Sequence, residues 1–313
     1  MSKPQRFPTT LLEAIRYFED LDIANDFVAA LRWPDGPHCP VCGGTDLGYV
    51  KTRRLWQCKT KGCRKQFSVK VGTIFEDSPI PLDKWLSSIW LIANAKNGVS
   101  SHELGRSIGL SQKSAWFVLH RVRLAMQTGT FQKLSGEVEV DETFWGGKSK
   151  FMHHKERRRK ISGSGVVDKT AILGMKQRDS GEVRAMVVPG RGRAQLQPRV
   201  RAHVEEGSML YTDLHHGYTG DLEQDYGHEV VDHAIEYVSG RVHTNGLENF
   251  WSLLKRGLKG TYISVEPFHL FRYIDEQAFR FNQRKYRDFE RFGLVLRYVA
   301  GRRLTYAGLT GKN

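Results

Sequence analysis

The spacing of apolar residues changes several times along this chain, and each change predicts a different kind of structure. Apolar residues recur at helical spacing between Leu11 and Leu31, which predicts a helix or a pair of helices. Short alternating stretches around Tyr49, Trp56 and Phe67 then predict small strands. The first 75 residues therefore combine a helical segment with a small strand module.

Helical spacing returns between residues 82 and 126, in three segments. The first covers residues 82–95, is rich in Trp and Ile, and is ended by Asn97-Gly98. The second covers residues 101–108, and after a turn Ser111 is expected to cap a third helix that runs to about Met126. A short helix, a turn with Gly and a longer helix are typical of the helix-turn-helix motif. Any small three-helix bundle would give the same pattern.

The pattern changes to strand alternation from Glu137 onward. Predicted strands cover residues 137–141, 166–176, 182–188, 209–213 and 229–232, and helices are predicted over residues 193–205 and 245–258. Three antiparallel strands, a helix, a strand, a helix, a strand and a helix are the element order of the ribonuclease-H-like α/β fold, which has a mixed five-stranded sheet. In that fold the fourth strand lies beside the first, which would bring Asp141 and Asp213 together.

The charge of the chain favours a polyanionic partner. The net charge is +14 and is distributed along the sequence, which suits nucleic acid because each neutralised phosphate releases counterions. An anionic membrane surface is the alternative, but no amphipathic basic helix stands out. The amino-terminal residues lack the apolar core of a signal peptide, and no stretch is apolar enough to span a bilayer. We expect a cytoplasmic, nucleoid-associated protein with no membrane partner.

All four cysteines fall in one short segment, as two closely spaced pairs: Cys39 with Cys42, and Cys58 with Cys63. Two such pairs near Gly residues can place four thiolates around one zinc ion. Two disulfides are the alternative, but they suit a reducing compartment poorly. We expect one structural zinc ion, whose binding supplies folding energy that so small a module cannot obtain from its core.

Three acidic residues in separate elements form the candidate catalytic set. Asp141 and Asp213 end predicted strands, and Glu248 opens a helix that carries Lys255 nearly two turns later, on the same face. Carboxylates in such positions can hold two divalent cations for phosphodiester chemistry. Each acid also has an ordinary interpretation as part of a solvated strand face, a turn or a helix start. Glu142 points to the opposite face of its strand and is a weak competitor.

Three segments resemble the DDE transposases of bacterial insertion sequences, in particular the group with an amino-terminal zinc ribbon. Residues 139–148 (EVDETFWGGK) resemble the first catalytic motif, and residues 243–256 (HTNGLENFWSLLKR) resemble the third. Residues 271–282 (FRYIDEQAFRFN) are similar to the closing helix. The likeness extends from the cysteine segment to about Lys285.

The resemblance implies Asp141, Asp213 and Glu248 as the catalytic triad, accompanied by Lys255. It implies two Mg²⁺ ions (with Mn²⁺ as a substitute) held by the triad, which suits hard carboxylate oxygens. Some members place Asn at the third position, so Asn245, one turn before Glu248, is expected at the edge of the site. His215 and His216 are further candidates for groups that support the triad.

The implied reaction is hydrolysis at the ends of an insertion sequence to give 3′-hydroxyls, followed by their transfer to target DNA. A catalytically silent DNA-binding protein derived from a transposase and another ribonuclease-H-like nuclease are the alternatives. Because two ends react together, we expect a homodimer or higher oligomer on double-stranded DNA. The residues expected to contact DNA are Gln112, Lys113, Ser114, Arg121, Arg157, Arg158, Arg159, Lys160, Arg256 and Lys259.

These expectations divide the chain into five regions of a multidomain α+β protein. The regions are an N-terminal helical segment (1–35), a zinc ribbon (36–75), a helix-turn-helix domain (80–130), a ribonuclease-H-like catalytic domain (135–287) and a basic C-terminal extension (288–313). The basic segment that holds Arg157 to Lys160 is expected to grip a phosphate backbone, and a plain solvated loop is the alternative.

Overall fold

The chain consists of two compact units. In the computed structural model, one unit comprises Met1–Gln127 with Gln283–Asn313, and the other comprises Thr128–Asn282. We call them the terminal unit and the central unit. The structure describes residues 7–127, 132–146, 169–231 and 243–311. Within these residues no helix has both the length and the apolar character required to cross a membrane.

Eleven α-helices and eight strands are present in the described residues. The helices are α1 (Leu11–Phe18), α2 (Leu21–Arg32), α3 (Leu82–Asn94), α4 (Ser101–Ile108), α5 (Gln112–Ala125), α6 (Arg193–His203), α7 (Leu222–Asp225), α8 (Asn245–Gly257), α9 (Leu270–Asn282), α10 (Asp288–Arg297) and α11 (Tyr306–Thr310). The strands are β1 (Leu47–Val50), β2 (Leu55–Cys58), β3 (Gln66–Ser68), β4 (Glu137–Trp145), β5 (Thr170–Gln177), β6 (Val183–Val188), β7 (Met209–Asp213) and β8 (Gly227–Val231).

The terminal unit opens with a helix pair followed by a small antiparallel sheet. Thr10 and Glu13 form a reciprocal capping box at the start of α1, and the Asp20 carboxylate caps α2. Strands β1, β2 and β3 pair in sequence order, and Trp56 stacks on its cross-strand partner Phe67 with ring centroids 6.0 Å apart. This aromatic pair supplies the apolar core of the cysteine module.

Helices α3, α4 and α5 form the rest of the amino-terminal part. Most of α3 is buried, because Trp85, Ile89 and Trp90 all point inward. Between α4 and α5, Gly109 adopts a left-handed conformation with φ of 65°, which favours Gly. The Ser111 hydroxyl accepts the Ser114 amide at 3.2 Å and so caps α5, as the sequence predicts.

The carboxyl-terminal segment is built into the terminal unit. Phe292 of α10 packs on Trp90 of α3 with ring centroids 5.0 Å apart. The backbone of residues 299–301 also bonds to residues 72–74: the Ile74 amide donates to the Val299 carbonyl at 2.9 Å. The segment predicted as a basic extension therefore contributes core and backbone pairing to this unit.

The central unit is organised around a five-stranded mixed sheet in the order β6-β5-β4-β7-β8. Strands β4, β5 and β6 pair antiparallel, whereas β7 pairs parallel to both β4 and β8. The fourth strand of the unit thus lies beside its first, and the predicted mixed five-stranded sheet is confirmed.

Two apolar layers cover the sheet, and strand alternation decides which residues enter each. On one face Val138 and Val140 of β4 pack with Leu196 and Val200 of α6. The opposite face is covered by α8 and α9, whose buried residues include Leu247, Phe250, Trp251, Leu254 and Ile274. Because Asp141 alternates with Val140, it faces the layer that contains α8.

The first strand of the central unit is longer than predicted. The sequence predicts that it ends at Asp141, but β4 continues to Trp145 because β5 remains paired with it as far as Thr170. Asp141 therefore lies inside a strand, opposite Gly174 of β5. The predicted start of β5 at Val166, like the basic segment that holds Arg157 to Lys160, lies outside the described residues.

Candidate active site

The four cysteines converge at one end of the β1–β3 sheet. Their Sγ atoms all lie within 4.8 Å of one another, and none of these four described residues forms a disulfide. The Cys39–Cys63 and Cys42–Cys58 Sγ distances are 3.7 and 3.6 Å. Tetrahedral coordination with Zn–S bonds of about 2.3 Å has sulfur–sulfur edges of about 3.8 Å. The donor set and its spacing therefore fit one structural zinc ion.

Asp141 and Asp213 lie close together on the neighbouring inner strands β4 and β7, as their sequence positions predict. Strand pairing aligns Glu139 of β4 with Tyr211 of β7, and two residues further along each strand come Asp141 and Asp213. Both side chains are half-buried. Parallel pairing thus brings together two carboxylates that are 72 positions apart in the sequence.

The third carboxylate of this cluster is Glu142. One oxygen each from Asp141, Glu142 and Asp213 lies within 4.8 Å of the other two. In the described residues, Glu248 is outside this cluster: it is exposed near the start of α8. Its charge nevertheless raises the pKa of Asp141, so Glu248 lies close enough to act on the cluster electrostatically.

The Asp141 carboxylate is held by a hydrogen bond at each oxygen. Oδ2 accepts the indole N–H of Trp251 at 2.8 Å, and Oδ1 accepts the Glu142 amide at 2.8 Å. Trp251 reaches this position by lying over Gly174, where a Cβ atom would be 2.5 Å from the indole ring. The pairing of Asp141 with Gly174 thus leaves room for the ring that orients Asp141.

Burial and mutual repulsion make the cluster favour a cation. Burial raises the pKa of Asp141 to about 6, opposed by the Trp251 hydrogen bond and reinforced by the charge of Asp213. Burial likewise raises the pKa of Glu142 to about 8; the Tyr218 phenol opposes this shift and Asp213 adds to it. A bound cation would offset both the lost hydration and the repulsion.

A separate buried acid, Glu139, fixes the start of α8. Its side chain is 1% exposed, and Oε2 accepts the Leu247 amide at 3.0 Å. Oε1 pairs with Arg178 at 3.2 Å and with Lys176 at 3.8 Å. A carboxylate at a helix N-terminus is favourable, so Glu139 ties β4 to the helix that carries Glu248.

The residues predicted to support the catalytic triad differ in burial and in their contacts with the acidic cluster. Lys255 is half-buried. Burial and the positive charge of Lys259 lower the pKa of Lys255, whereas the negative charge of Asp141 raises it. Asn245 is exposed at the first position of α8. His215 Nδ1 lies 3.7 Å from Glu142 Oε1.

His216, which follows His215, is exposed, and its ring centroid lies 4.3 Å from that of His215. The described contacts of His216 otherwise involve its backbone carbonyl, which accepts hydrogen bonds from Arg193 and Thr219. His215 is therefore the member of this pair that adjoins the acidic cluster.

The residues predicted to contact DNA differ in exposure. Gln112 and Lys113 are exposed at the start of α5. Arg256 is exposed near the end of α8, and Lys259 is exposed two residues beyond that helix. Ser114 is half-buried beside Ser111.

Arg121 departs from the expectation of a DNA contact, because it is 3% exposed. Its guanidinium donates to the Leu304, Ile74 and Glu76 carbonyls at 3.1, 2.9 and 2.6 Å. This side chain joins three segments of the terminal unit instead of facing solvent.

Two residues of the site receive no role from the sequence pattern alone. Trp251 lies one turn after Glu248 and one turn before Lys255, so its position on the helix places it on the face of the candidate site. The sequence pattern makes Glu142 only a weak candidate for the catalytic set, because adjacent strand residues point to opposite faces. Its longer side chain nevertheless places an oxygen within reach of Asp141 and Asp213.

Two family models match this chain. The ISXO2-like transposase domain matches residues 133–282, and the transposase zinc-ribbon domain matches residues 22–66. The first match covers nearly the whole central unit, and the second covers all four cysteines.

Two relatives carry the same kind of description. An uncharacterized protein in transposable element ISH50 of Halobacterium salinarum is 27% identical over 244 residues, which is 75% of this chain and 82% of the relative. An uncharacterized transposase-like protein of Haemophilus influenzae is 33% identical over 102 residues, which is 32% of this chain and 81% of the relative.

A solved structure is also similar in part. A chain from the cryo-electron microscopy structure of the simian T-cell lymphotropic virus intasome in complex with PP2A regulatory subunit B56 gamma matches at 10% identity. The match covers 60% of this chain and 66% of that chain, with a TM-score of 0.29. A TM-score of that size carries no weight for fold or function.

Proposed function

Because the chain belongs to the DDE-type transposases of insertion sequences that carry an amino-terminal zinc ribbon, we propose that it cuts DNA at the ends of an insertion sequence. The 3′-hydroxyls released by this cleavage then attack target DNA. The observation that carries the proposal is the meeting of Asp141 and Asp213 on the neighbouring strands β4 and β7. The strand order of the central unit supports a ribonuclease-H-like catalytic domain, in which the fourth strand lies beside the first.

Asp141 and Asp213, together with Glu248, would hold two Mg²⁺ ions, or Mn²⁺ as a substitute. The donor atoms are carboxylate oxygens, which suit these cations, and Asp213 Oδ1 is buried without a hydrogen-bond partner among the described residues. When bound, magnesium activates the attacking oxygen and stabilises the leaving oxygen in phosphodiester cleavage. The site's own residues orient the carboxylates and neutralise the phosphate.

Lys255 is the residue best suited to meet the scissile phosphate. It is half-buried on α8, and the charge of Asp141 acts on its ammonium group. A cation held on a helix can position a phosphate by charge and hydrogen bonding. Asn245 and His216 are assigned to the edge of the site.

DNA recognition is assigned to the terminal unit and to basic residues of α8. The zinc ribbon and the α4–α5 pair, as a helix-turn-helix, would bind the terminal repeats, with exposed Gln112 and Lys113 at the start of the second helix. Arg256, next to Lys255 on α8, and Lys259, two residues beyond that helix, are exposed and would contact the backbone of double-stranded DNA. Because two ends react together, the chain would act on DNA as at least a homodimer. It would do so in the cytoplasm, at the nucleoid.

The proposal is tested by separating DNA binding from DNA cleavage. Asp141→Asn, Asp213→Asn and Glu248→Gln keep side-chain shape but remove a negative charge. We expect each variant to bind end-containing DNA in a mobility-shift assay. The rate of strand cleavage in Mg²⁺ should fall at least about 100-fold. Glu223→Gln, at an exposed position of α7, is the matched control and should cleave normally.

Other outcomes would identify other functions. A wild-type chain that binds the ends but cuts them in neither Mg²⁺ nor Mn²⁺ would be a catalytically silent DNA-binding protein. Preferential cleavage of junctions or RNA–DNA hybrids over duplex ends would indicate a different ribonuclease-H-like nuclease. Full cleavage by two of the three variants would remove the catalytic assignment.

A further inference from the structure

We propose, building on the function proposed above, that Glu142 supplies an additional carboxylate ligand to the divalent cation held by Asp141 and Asp213. The cation site would then be built on two neighbouring strands, β4 and β7. In this arrangement Glu248 contributes to the second cation that cleavage requires, and the first cation binds between the strands without Glu248 in the absence of DNA.

The geometry of the three carboxylates is the first reason. An oxygen of Glu142 lies within 4.8 Å of both an Asp141 oxygen and an Asp213 oxygen. Hard divalent cations bind oxygen at about 2.0–2.6 Å, so oxygens within this separation can share one ion. The parallel pairing of β4 with β7 covers Glu137 to Glu139, and Glu142 lies beyond it.

The second reason is that one oxygen of the buried Glu142 carboxylate is unpaired among the described residues, although the Tyr218 phenol acts on the carboxylate. Its side chain is 5% exposed, and among the described residues Oε1 has no hydrogen-bond partner. His215 Nδ1 is 3.7 Å away, but that nitrogen already accepts the Gly217 amide at 3.2 Å. Asp213 Oδ1 is likewise buried and without a partner in the described part of the chain. A cation bound between these buried carboxylate oxygens would satisfy both of them.

Glu248 is placed differently from these three acids. It is exposed on α8 and is outside the carboxylate cluster of the described residues. Burial raises the pKa of Asp141 most, and the negative charge of Glu248 adds to that increase. Cation binding by the sheet carboxylates and catalysis with Glu248 are therefore separable by mutation.

The experiment measures Mn²⁺ binding directly, by the loss of the free-ion electron paramagnetic resonance signal, on the zinc-loaded full chain without DNA. We expect Glu142→Gln to weaken Mn²⁺ binding at least about tenfold, comparably to Asp141→Asn. Glu248→Gln should stay within about threefold of wild type. The matched control is Glu137→Gln, because Glu137 lies on the same strand but pairs with Arg178.

A second variant separates ligation from charge. Glu142→Asp keeps the negative charge but withdraws the oxygens by one methylene, so we expect it to weaken Mn²⁺ binding as well. Urea unfolding of each zinc-loaded variant, without Mg²⁺ or Mn²⁺, checks that folding is retained. Binding by Glu142→Asp at the wild-type level, with loss only in Glu142→Gln, would show that Glu142 acts through charge and would overturn its role as a ligand.

Different results would contradict the role of Glu142 and the proposed function. Normal Mn²⁺ binding by Glu142→Gln with weak binding by Asp141→Asn would overturn the role of Glu142 and leave the proposed function in place. Normal binding and cleavage by Asp141→Asn and Asp213→Asn would overturn both. Wild-type protein that fails to bind millimolar Mn²⁺ without DNA, but cleaves end DNA in Mg²⁺, would overturn only the role of Glu142.

Discussion

The indole nitrogen of Trp251 lies 2.8 Å from Oδ2 of Asp141, although the two residues are 110 positions apart in the chain. This contact connects α8 to the middle of β4 and orients a carboxylate of the candidate site. It exists because Gly174, opposite Asp141 on β5, leaves space for the indole ring.

Trp251→Phe removes this hydrogen bond while keeping an aromatic ring. A hydrogen bond to a charged group contributes about 1.5–3 kcal/mol, so a loss of Asp141 orientation should lower kcat for end cleavage by at least about tenfold. The Michaelis constant for DNA should change less, because DNA contacts are retained. Steady-state cleavage kinetics measure both.

The matched control for Trp251→Phe is Phe250→Leu, which alters the same apolar layer without removing a polar atom. It should reduce stability and leave kcat near wild type. Equal kcat values for Trp251→Phe and wild type would contradict the positioning role of Trp251.

Gly174→Ala should displace the indole of Trp251. The added Cβ would lie 2.5 Å from the ring and 3.1 Å from the Leu247 side chain, so the layer must shift. Overpacking of this kind costs about 1–3 kcal/mol in the free energy of unfolding. Urea denaturation should report that loss for Gly174→Ala, whereas Gly190→Ala, with its nearest atom at 3.9 Å, should cost much less. Equal stabilities would show that the layer adapts freely.

The acidic cluster should make stability depend on pH in Mg²⁺-free buffer. Burial raises the pKa of Glu142 from 4.5 to about 8, so the folded state binds more protons than the unfolded state between these values. Stability should therefore fall as pH rises from about 4.5 to about 8, with a maximum slope of about 1.4 kcal/mol per pH unit for one proton.

Glu142→Gln cannot ionise and should flatten that pH dependence. Asp141, whose pKa is raised to about 6, would still contribute a decline as pH rises toward that value. Urea unfolding at several pH values between 5 and 8 compares wild type with the variant. Identical slopes would contradict the protonation of Glu142 in the folded chain.

Arg121→Ala should affect stability and not DNA contact. The change leaves the Leu304, Ile74 and Glu76 carbonyls without their buried donor, at a cost of about 3 kcal/mol or more in the free energy of unfolding. Lys113→Ala is the contrasting variant, since Lys113 is exposed on the same helix. It should keep stability within about 0.5 kcal/mol and weaken binding to end DNA. The opposite pattern would return Arg121 to the DNA-binding surface.

Cys58→Ser should remove zinc from the ribbon. Cys58 is buried beside Cys42, and loss of one thiolate breaks a closed four-sulfur site. Metal analysis should fall from one zinc per chain to well below one, and binding of end DNA should fall with it. Retention of a full equivalent of zinc by Cys58→Ser would contradict the assignment of these ligands.

The sequence by itself determined the features that depend on short-range patterns. The spacing of Cys39, Cys42, Cys58 and Cys63 defined the zinc ribbon, because zinc ligation requires four donors at closely set positions. Strand and helix periodicity gave the element order of the central unit. Together with the pairing rule for that order, it predicted that Asp141 and Asp213 would meet.

The tertiary structure decided which side chains share a site and which are buried. It brought Glu142 into the acidic cluster, placed Trp251 on Asp141, and buried Arg121 against a carbonyl 183 positions away. These contacts depend on the length of each side chain and on the packing of distant segments. The assembled layers determine how much space is left for each side chain. Periodicity records which face of an element is apolar, but it does not record which distant residue will occupy that space.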